Sequence, residues 1–280
     1  MGKILIHEYS NPAPFLHLTR TFLETSEMEN TLLLGISSWL TAHPEQIVQP
    51  SCFLVLETNG NIRGAAILTP RGLILSRIKK ANLDQLLSHM SEKELKFSSV
   101  EAPQNTARTF AELWSQKMGY TTRLYRTTRL YELTNVIPPA PKEGQLRQAT
   151  KKDRSLVYRW MHGFSIDIRD HIKEKSIRER AAQMLVDKRP YFWEDSVPRS
   201  MAAWGGPTAH GIRISAVYTP PEFRGRGYAS VCVAALSQAM LRSGKDFCCL
   251  FADRTNPVSN RLYQRIGYRP VCDFAEYHFS

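Results

Sequence analysis

Cysteine is scarce in this chain, and the few cysteines follow no pattern that would hold a metal or a set of disulfides. They are odd in number, and no C-x-x-C or mixed Cys/His spacing typical of zinc is present. Most lie within apolar segments, which predicts buried, reduced thiols in a cytoplasmic protein. They are Cys52, Cys232, Cys248, Cys249 and Cys272. The sequence therefore predicts no metal site.

Long apolar runs are missing as well. No stretch of about 18 apolar residues occurs, so no transmembrane helix is predicted. The N-terminal residues lack the apolar core of a secretory signal. We therefore expect a cytoplasmic protein without a membrane partner.

Blocks of like charge are absent, although the chain is basic. Lysine and arginine number 37 against 26 aspartates and glutamates, a formal charge of +11. These charges are spread along the chain and do not alternate with aromatics as on a base-stacking surface, so no nucleic-acid partner is predicted. The excess instead suits an anionic substrate or a polyphosphate cofactor.

The chain has enough hydrophobic residues to form the cores of two domains, since 42% of its 280 residues are hydrophobic. Predicted elements of the first half are a strand at 3–7, helices at 14–23 and 27–41, a hairpin at 52–56 and 62–69, a strand at 73–78, a helix at 83–90, a strand at 95–100, a helix at 103–118 and a strand at 124–133. The second half repeats this order, with a strand at 146–149, helices at 151–164 and 176–186, strands at 191–193, 200–204 and 212–218, a helix at 228–243, a strand at 247–251, a helix at 256–266 and a strand at 268–279.

A proline-rich segment at 136–144 separates the halves and predicts a linker between domains at 1–137 and 143–280. A short repeated motif supports duplication of one domain: Q-K-M-G-Y ends a helix at 116–120, and Q-R-I-G-Y ends one at 264–268. The oligomeric state has no signal in the sequence.

The most informative stretch is 218–229, Y-T-P-P-E-F-R-G-R-G-Y-A. Two prolines stop an apolar strand, and a basic turn with Gly225 and Gly227 leads into a helix. Glycines let backbone amides approach an anion closely, and a helix N-terminus adds unpaired N–H groups. The pattern predicts a phosphate site. The corresponding stretch of the first half, S-R-I-K-K-A at 76–81, is basic but has no glycine.

A second constellation follows at 256–263, N-P-V-S-N-R-L-Y. Asn256 is a favourable N-cap before a proline. Asn260 and Tyr263 then share its helix face, because they stand four and seven residues later. The same periodicity predicts that Val258, Leu262 and Ile266 face a core on the opposite side, with Tyr263 presented away from it.

Together the two constellations resemble the GNAT family of acyl-CoA-dependent N-acetyltransferases. Arg224, Gly227 and Ala229 match the family's R/Q-x-x-G-x-G/A motif, and the asparagine-capped helix with its tyrosine matches a second motif. The resemblance covers residues 145–280 directly and the first half through element order. It implies an α+β fold of two tandem GNAT domains, each with a mixed, mostly antiparallel sheet flanked by helices, and an N-terminal domain that is degenerate.

The resemblance also implies roles for residues. Acetyl-CoA is the expected co-substrate, with Tyr263 as the general acid that protonates the CoA thiolate. The residues expected to bind it are Val217, Tyr218 and Thr219 through the strand main chain, Arg224, Gly225, Arg226, Gly227, Tyr228, Ala229 and Ser230 at the diphosphate, and Asn256 and Asn260 at the pantetheine arm.

The implied reaction is transfer of the acetyl group to a primary amine by direct attack in a ternary complex. The acceptor stays open, because the residues expected around its pocket are compatible with a small polar amine, an amino acid or a peptide terminus. Candidate bases are Glu194, Asp195, Glu222, Asp253, Glu276, His162, His171, His210 and His278, or a water molecule. Two alternatives stay open: a longer-chain acyl-CoA:amino acid N-acyltransferase, and a non-catalytic CoA sensor or scaffold.

Overall fold

The computed structural model describes residues 4–49, 51–170 and 173–280. The elements of the first half are β1 (Leu5–Tyr9), α1 (Pro12–Glu24), α2 (Thr31–Ala42), β2 (Cys52–Thr58), β3 (Asn61–Thr69), β4 (Gly72–Leu75), α3 (Lys80–Glu92), β5 (Ser99–Pro103), α4 (Gln104–Met118) and β6 (Thr122–Leu133). Those of the second half are β7 (Gln145–Gln148), α5 (Arg154–Asp167), α6 (Glu174–Val186), β8 (Pro190–Asp195), β9 (Val197–Gly205), β10 (Gly211–Tyr218), α7 (Tyr228–Arg242), β11 (Phe247–Asp253), α8 (Pro257–Arg265) and β12 (Arg269–Phe279).

The two halves have the same order of strands and helices, as the sequence predicted. The Gly-Tyr pair that is repeated in the two halves has a structural reason. Gly119 ends α4 with φ +74°, and Gly267 follows α8 with φ +105°, so both reverse the chain in the left-handed region before a strand.

The chain divides into two compact units. The first contains residues 1–130, 206–209 and 271–280, and the second contains residues 131–205 and 210–270. The domain bounds of 1–137 and 143–280 stay a prediction.

Each unit is built on a mixed sheet. In the first unit β1, β2, β3, β4, β5 and β12 are neighbours in that order, and in the second the order is β11, β10, β9, β8, β7. Most pairs are antiparallel, whereas β4 with β5 and β10 with β11 are parallel. The predicted fold class is therefore confirmed.

The second unit buries a cluster on each face of its sheet. One cluster packs Val233 of α7 and Tyr263 of α8 against Ile214 and Leu250. The other packs α5 and α6 residues, including Trp160, against the opposite face. The prediction that Val258 faces a core is wrong, because its side chain is 74% exposed on the first turn of α8.

No helix in the described ranges has the length and apolar character needed to cross a membrane. The cysteines are free thiols, and four of the five are buried, as predicted.

Candidate active site

The site begins where two parallel strands of the second unit separate. Pairing of β10 with β11 runs from Gly211 opposite Phe247 to Arg213 opposite Cys249, and no later pair joins these strands in the described chain. Both strands nevertheless continue, β10 to Tyr218 and β11 to Asp253. The carboxyl ends of the two strands therefore diverge and leave a cleft between them.

A bulge in β10 accompanies this separation. Pairing with β9 shifts register between Ser215 and Tyr218, and Ala216 within the bulge has φ +50°. An alanine in the left-handed region is strained, and such strain concentrates at functional sites.

The end of β10 is held firmly on its other side. Ser200 of β9 is fully buried, donates to the Tyr218 carbonyl at 3.3 Å and lies 2.9 Å from the Thr219 hydroxyl. The Tyr218 ring packs 6.1 Å from Trp160 and closely over Gly163 of α5. The side chain of Tyr218 is thus fixed on the α5 face, and burial there raises its pKa.

The turn after β10 offers a set of unpaired amides. Gly225 and Gly227 have φ +74° and +84°, which explains why glycine stands at both positions. The first amide of α7 with a backbone acceptor is that of Val231, which bonds the Gly227 carbonyl at 3.3 Å. The amides of residues 225–230 have no acceptor among the described residues, and a Cβ on Gly225 would meet open space. Such a group of donors at a helix N-terminus binds phosphate.

Two predicted arginines have different surroundings. The guanidinium of Arg224 donates to the Thr219 carbonyl at 2.8 Å and to Asp167 of α5 at 2.6 Å. Arg226 is exposed and has no ion pair with a described residue. Tyr228 is half-buried, with its hydroxyl 3.4 Å from Asp195. Arg226 is therefore the predicted arginine whose charge is uncompensated.

Asn256 caps α8 as predicted. Its Oδ1 accepts hydrogen bonds from the amides of Val258 at 3.1 Å and Ser259 at 3.2 Å. The residue is exposed, and its Nδ2 makes no hydrogen bond within the described chain, so it can donate to a ligand.

The side chain of Asn260 forms hydrogen bonds within the protein. Its Nδ2 donates to the carbonyls of Asp253 at 2.9 Å and Asn256 at 2.6 Å, and its Oδ1 accepts from the buried Tyr131 hydroxyl at 2.8 Å. Asn260 thus shapes the loop between β11 and α8 and anchors Tyr131. The helical spacing alone did not predict this role.

The prediction that Tyr263 points away from the core is wrong: it lies on the buried face of α8, with 8% of its surface exposed. Its ring is 6.3 Å from that of Tyr131 and 5.9 Å from that of Tyr268. Burial, with a smaller contribution from Tyr131, raises its pKa from 10.0 to about 12. Its hydroxyl has no hydrogen-bond partner among the described residues. The hydroxyl oxygen is nevertheless accessible, because it is not among the described polar atoms that are both unpaired and completely buried. The phenol is therefore held protonated with its oxygen at an opening.

Several candidate bases are already paired. Glu194 lies 2.7 Å from Arg147, Asp195 lies 3.6 Å from Arg199, and Glu276 contacts both Arg126 and His278. The Asp253 carboxylate accepts from the Thr255 amide and hydroxyl. His171 lies outside the described residues.

Among its described residues, the first unit has no comparable turn at the equivalent place. Only residues 76–79 connect β4 to α3, whereas residues 219–227 connect β10 to α7. Ile78 is 4% exposed, and its Cγ1 lies 2.6 Å from where a Cβ on Gly64 would stand. The amide of Ile78 donates to the buried Thr106 hydroxyl at 3.3 Å. An apolar side chain and an internal hydrogen bond thus take the place of an anion site.

Comparison with known proteins agrees with this geometry. Residues 194–278 match the model of the FR47-like protein family. No curated protein sequence matches the chain significantly.

Solved structures extend the likeness to the whole chain. A GCN5-related N-acetyltransferase from Sphaerobacter thermophilus is 16% identical, with 98% of this chain and 94% of that chain covered and a TM-score of 0.64. A Drosophila protein is 13% identical over 99% of both chains, with a TM-score of 0.71. A tandem GNAT protein from the clavulanic acid biosynthesis pathway is 10% identical over 99% of this chain and 98% of that chain, with a TM-score of 0.58. The resemblance seen in the sequence is confirmed: this chain has the tandem fold of the GCN5-related N-acetyltransferases, and its FR47-like match lies in the second half.

Proposed function

We propose that this protein is an N-acetyltransferase that moves the acetyl group of acetyl-CoA to a primary amine. The observation that carries the proposal is the row of unpaired amides at 225–230, directly after a strand that separates from its parallel neighbour. This fold supports acyl transfer in general. Acetyl-CoA as donor and an amine as acceptor are the specific parts of the proposal.

The residues fit a long molecule with a diphosphate near one end. The turn amides receive the diphosphate, with Arg226 adding positive charge nearby. The pantetheine arm enters between β10 and β11, where the main chain of Val217, Tyr218 and Thr219 offers hydrogen-bonding groups. The free Nδ2 of Asn256 donates to an amide carbonyl of the arm. Arg224, tied to Asp167, holds the turn in place.

The reaction needs an oxyanion donor and a proton for the leaving group. The acceptor nitrogen attacks the thioester carbonyl, a main-chain N–H near Tyr218 stabilises the oxyanion, and the C–S bond then breaks. Tyr263 gives its phenolic proton to the departing sulfur, and the proton lost from the amine passes to water.

The pKa of Tyr263 suits this role once the sulfur is enclosed. A thiol in water has a pKa of about 8.5, which is far below that of the phenol. Burial in the same apolar cluster, however, raises the pKa of Cys248 to about 12. A CoA thiol enclosed beside this cluster is shifted in the same direction, which brings its pKa closer to that of the phenol and makes the proton transfer less unfavourable.

Calorimetric titration with acetyl-CoA tests cofactor binding, and no binding at high micromolar concentration would reject the proposal. A panel of amines, amino acids and peptides assayed by release of free CoA thiol then identifies the acceptor. A thioester series of increasing chain length separates acetyl transfer from longer-chain acyl transfer. CoA binding without thiol release from any acceptor would indicate a sensor or scaffold instead.

A further inference from the structure

The linker between the halves brings a lysine over the phosphate-binding turn. A Cβ built on Gly227 has the Cε atom of Lys142 as its nearest neighbour, at 3.4 Å. The ammonium nitrogen is one bond further along this side chain. The positive charge of Lys142 therefore lies close to the backbone of the turn, in the same compact unit.

The linker is tied to the second unit at both ends. Near its start, the Ile137 amide donates to the Ile266 carbonyl at 3.0 Å. Near its end, the Trp193 indole donates to the Glu143 carbonyl at 2.9 Å. Gly144 has φ +108° and packs so closely on the Glu194 carbonyl that a Cβ there would clash. The backbone beside Lys142 is thus fixed by its immediate neighbours.

Lys142 is available for a ligand. It is exposed and forms no ion pair with a described residue, whereas Arg224 is compensated by Asp167 at 2.6 Å. An anion on the turn amides would therefore meet two uncompensated cations, Arg226 from the turn and Lys142 from the linker. The position of the Lys142 side chain over Gly227 directs it to the anion held by the amides of 225–230.

We propose that Lys142 is a diphosphate-contacting residue, and that the segment joining the halves is part of the CoA site. This inference rests on the proposed function, since it concerns the same ligand. It assigns the lysine to the diphosphate and not to the 3′-phosphate of CoA.

The test compares Lys142→Ala with Lys152→Ala, which removes the same charge from an exposed lysine outside the linker and turn. Dissociation constants for CoA are measured by calorimetry at low and physiological salt. We expect Lys142→Ala to weaken CoA binding about fivefold at low salt and less at higher salt, with wild-type affinity in Lys152→Ala. Lys142→Arg should restore most of the affinity, because it returns the charge.

Dephospho-CoA and pantetheine distinguish the phosphates. Lys142→Ala should weaken the binding of dephospho-CoA, which keeps the diphosphate, by the same factor. It should not change the affinity for pantetheine, which lacks the diphosphate as well as the 3′-phosphate. An effect that disappears with dephospho-CoA overturns the assignment to the diphosphate. Equal affinities of Lys142→Ala and Lys152→Ala overturn the inference while leaving the proposed function intact, whereas a wild-type protein that does not bind CoA rejects the proposed function itself.

Discussion

Replacing Tyr263 with phenylalanine removes one oxygen from the place where we expect the leaving sulfur to be protonated. That oxygen has no hydrogen-bond partner among the described residues, and the rest of the side chain stays in its apolar cluster. No buried polar group loses a partner in this change. We therefore expect the free energy of unfolding to stay within about 0.5 kcal/mol of wild type.

The effect on catalysis should be much larger. Loss of a general acid typically costs about 10²–10⁴-fold in rate. Because the pKa of Tyr263 is raised to about 12, the phenol is protonated throughout the working pH range. If the thiol stayed at its aqueous pKa of about 8.5, full transfer would be uphill by about 5 kcal/mol, and the phenol would give little help. With an enclosed thiol we expect kcat to fall by about 10²–10³-fold.

The assay is thiol release under saturating acetyl-CoA and acceptor, with cofactor affinity measured separately by calorimetry. Affinity should change by less than about twofold. Tyr268→Phe is a matched control, because Tyr268 belongs to the same apolar cluster as Tyr263. The Tyr268 hydroxyl lies 2.8 Å from the Ser237 hydroxyl, so removing it should cost about 1 kcal/mol of stability without a comparable loss of kcat. If Tyr263→Phe retains half or more of wild-type kcat while chemistry limits the rate, Tyr263 is not the general acid.

Three further changes test other parts of the structure. Gly225→Ala and Gly119→Ala should each lower the free energy of unfolding by about 1 kcal/mol, because both glycines have φ +74° with open space around them. Only Gly225→Ala should weaken acetyl-CoA binding, by about tenfold in calorimetry. Asn260→Ala should lower the free energy of unfolding by about 2 kcal/mol, since it leaves the buried Tyr131 hydroxyl unpaired, and adding Tyr131→Phe should restore part of that loss in a double-mutant cycle. Burial raises the pKa of Cys248 from 9.0 to about 12, so the folded state keeps a proton that the unfolded chain releases. The contribution of this thiol to stability should be constant below about pH 8 and fall as pH rises beyond 9, and Cys248→Ala should reduce the alkaline slope in denaturant titrations by up to about 1.4 kcal/mol per pH unit.

The element order could be predicted because local signals coincide with the fold. Asn59 and Gly60 form the turn of the predicted hairpin with positive φ values, and Asn256 and Pro257 begin α8 as expected. The strand predicted at 95–100 is instead β5 at Ser99–Pro103. Leu95 and Phe97 alternate with polar residues as in a strand, but they pack on the core from a connecting segment. Alternation reports which side chains are buried and not which backbone groups are paired.

The site could be predicted only as far as its residue types and spacing allow. Glycines in a turn and an N-cap asparagine act locally, so their positions carry the signal. The bulge at Ala216 has no such sequence signal, because alanine is not a residue type that is typical of positive φ. The bonds from Asn260 to Tyr131 and the placement of Lys142 over Gly227 join residues that are far apart in sequence. Such contacts depend on tertiary packing, which a single sequence does not display.

Comparison of the halves gives a reason for a single cofactor site. Both units contain a parallel strand pair joined by a helix, so the scaffold of the proposed CoA site exists twice. In the first unit, however, the connection after β4 is short, and Ile78 places an apolar side chain against Gly64 while its amide bonds Thr106. An anion there would have to displace a buried isoleucine and break an internal hydrogen bond, each of which costs on the order of 1–3 kcal/mol. The second unit has no such cost, since the amides of 225–230 have no acceptor to give up among the residues that the structure describes. Calorimetry should therefore give one acetyl-CoA per chain, and a stoichiometry of two would contradict this account of the first unit.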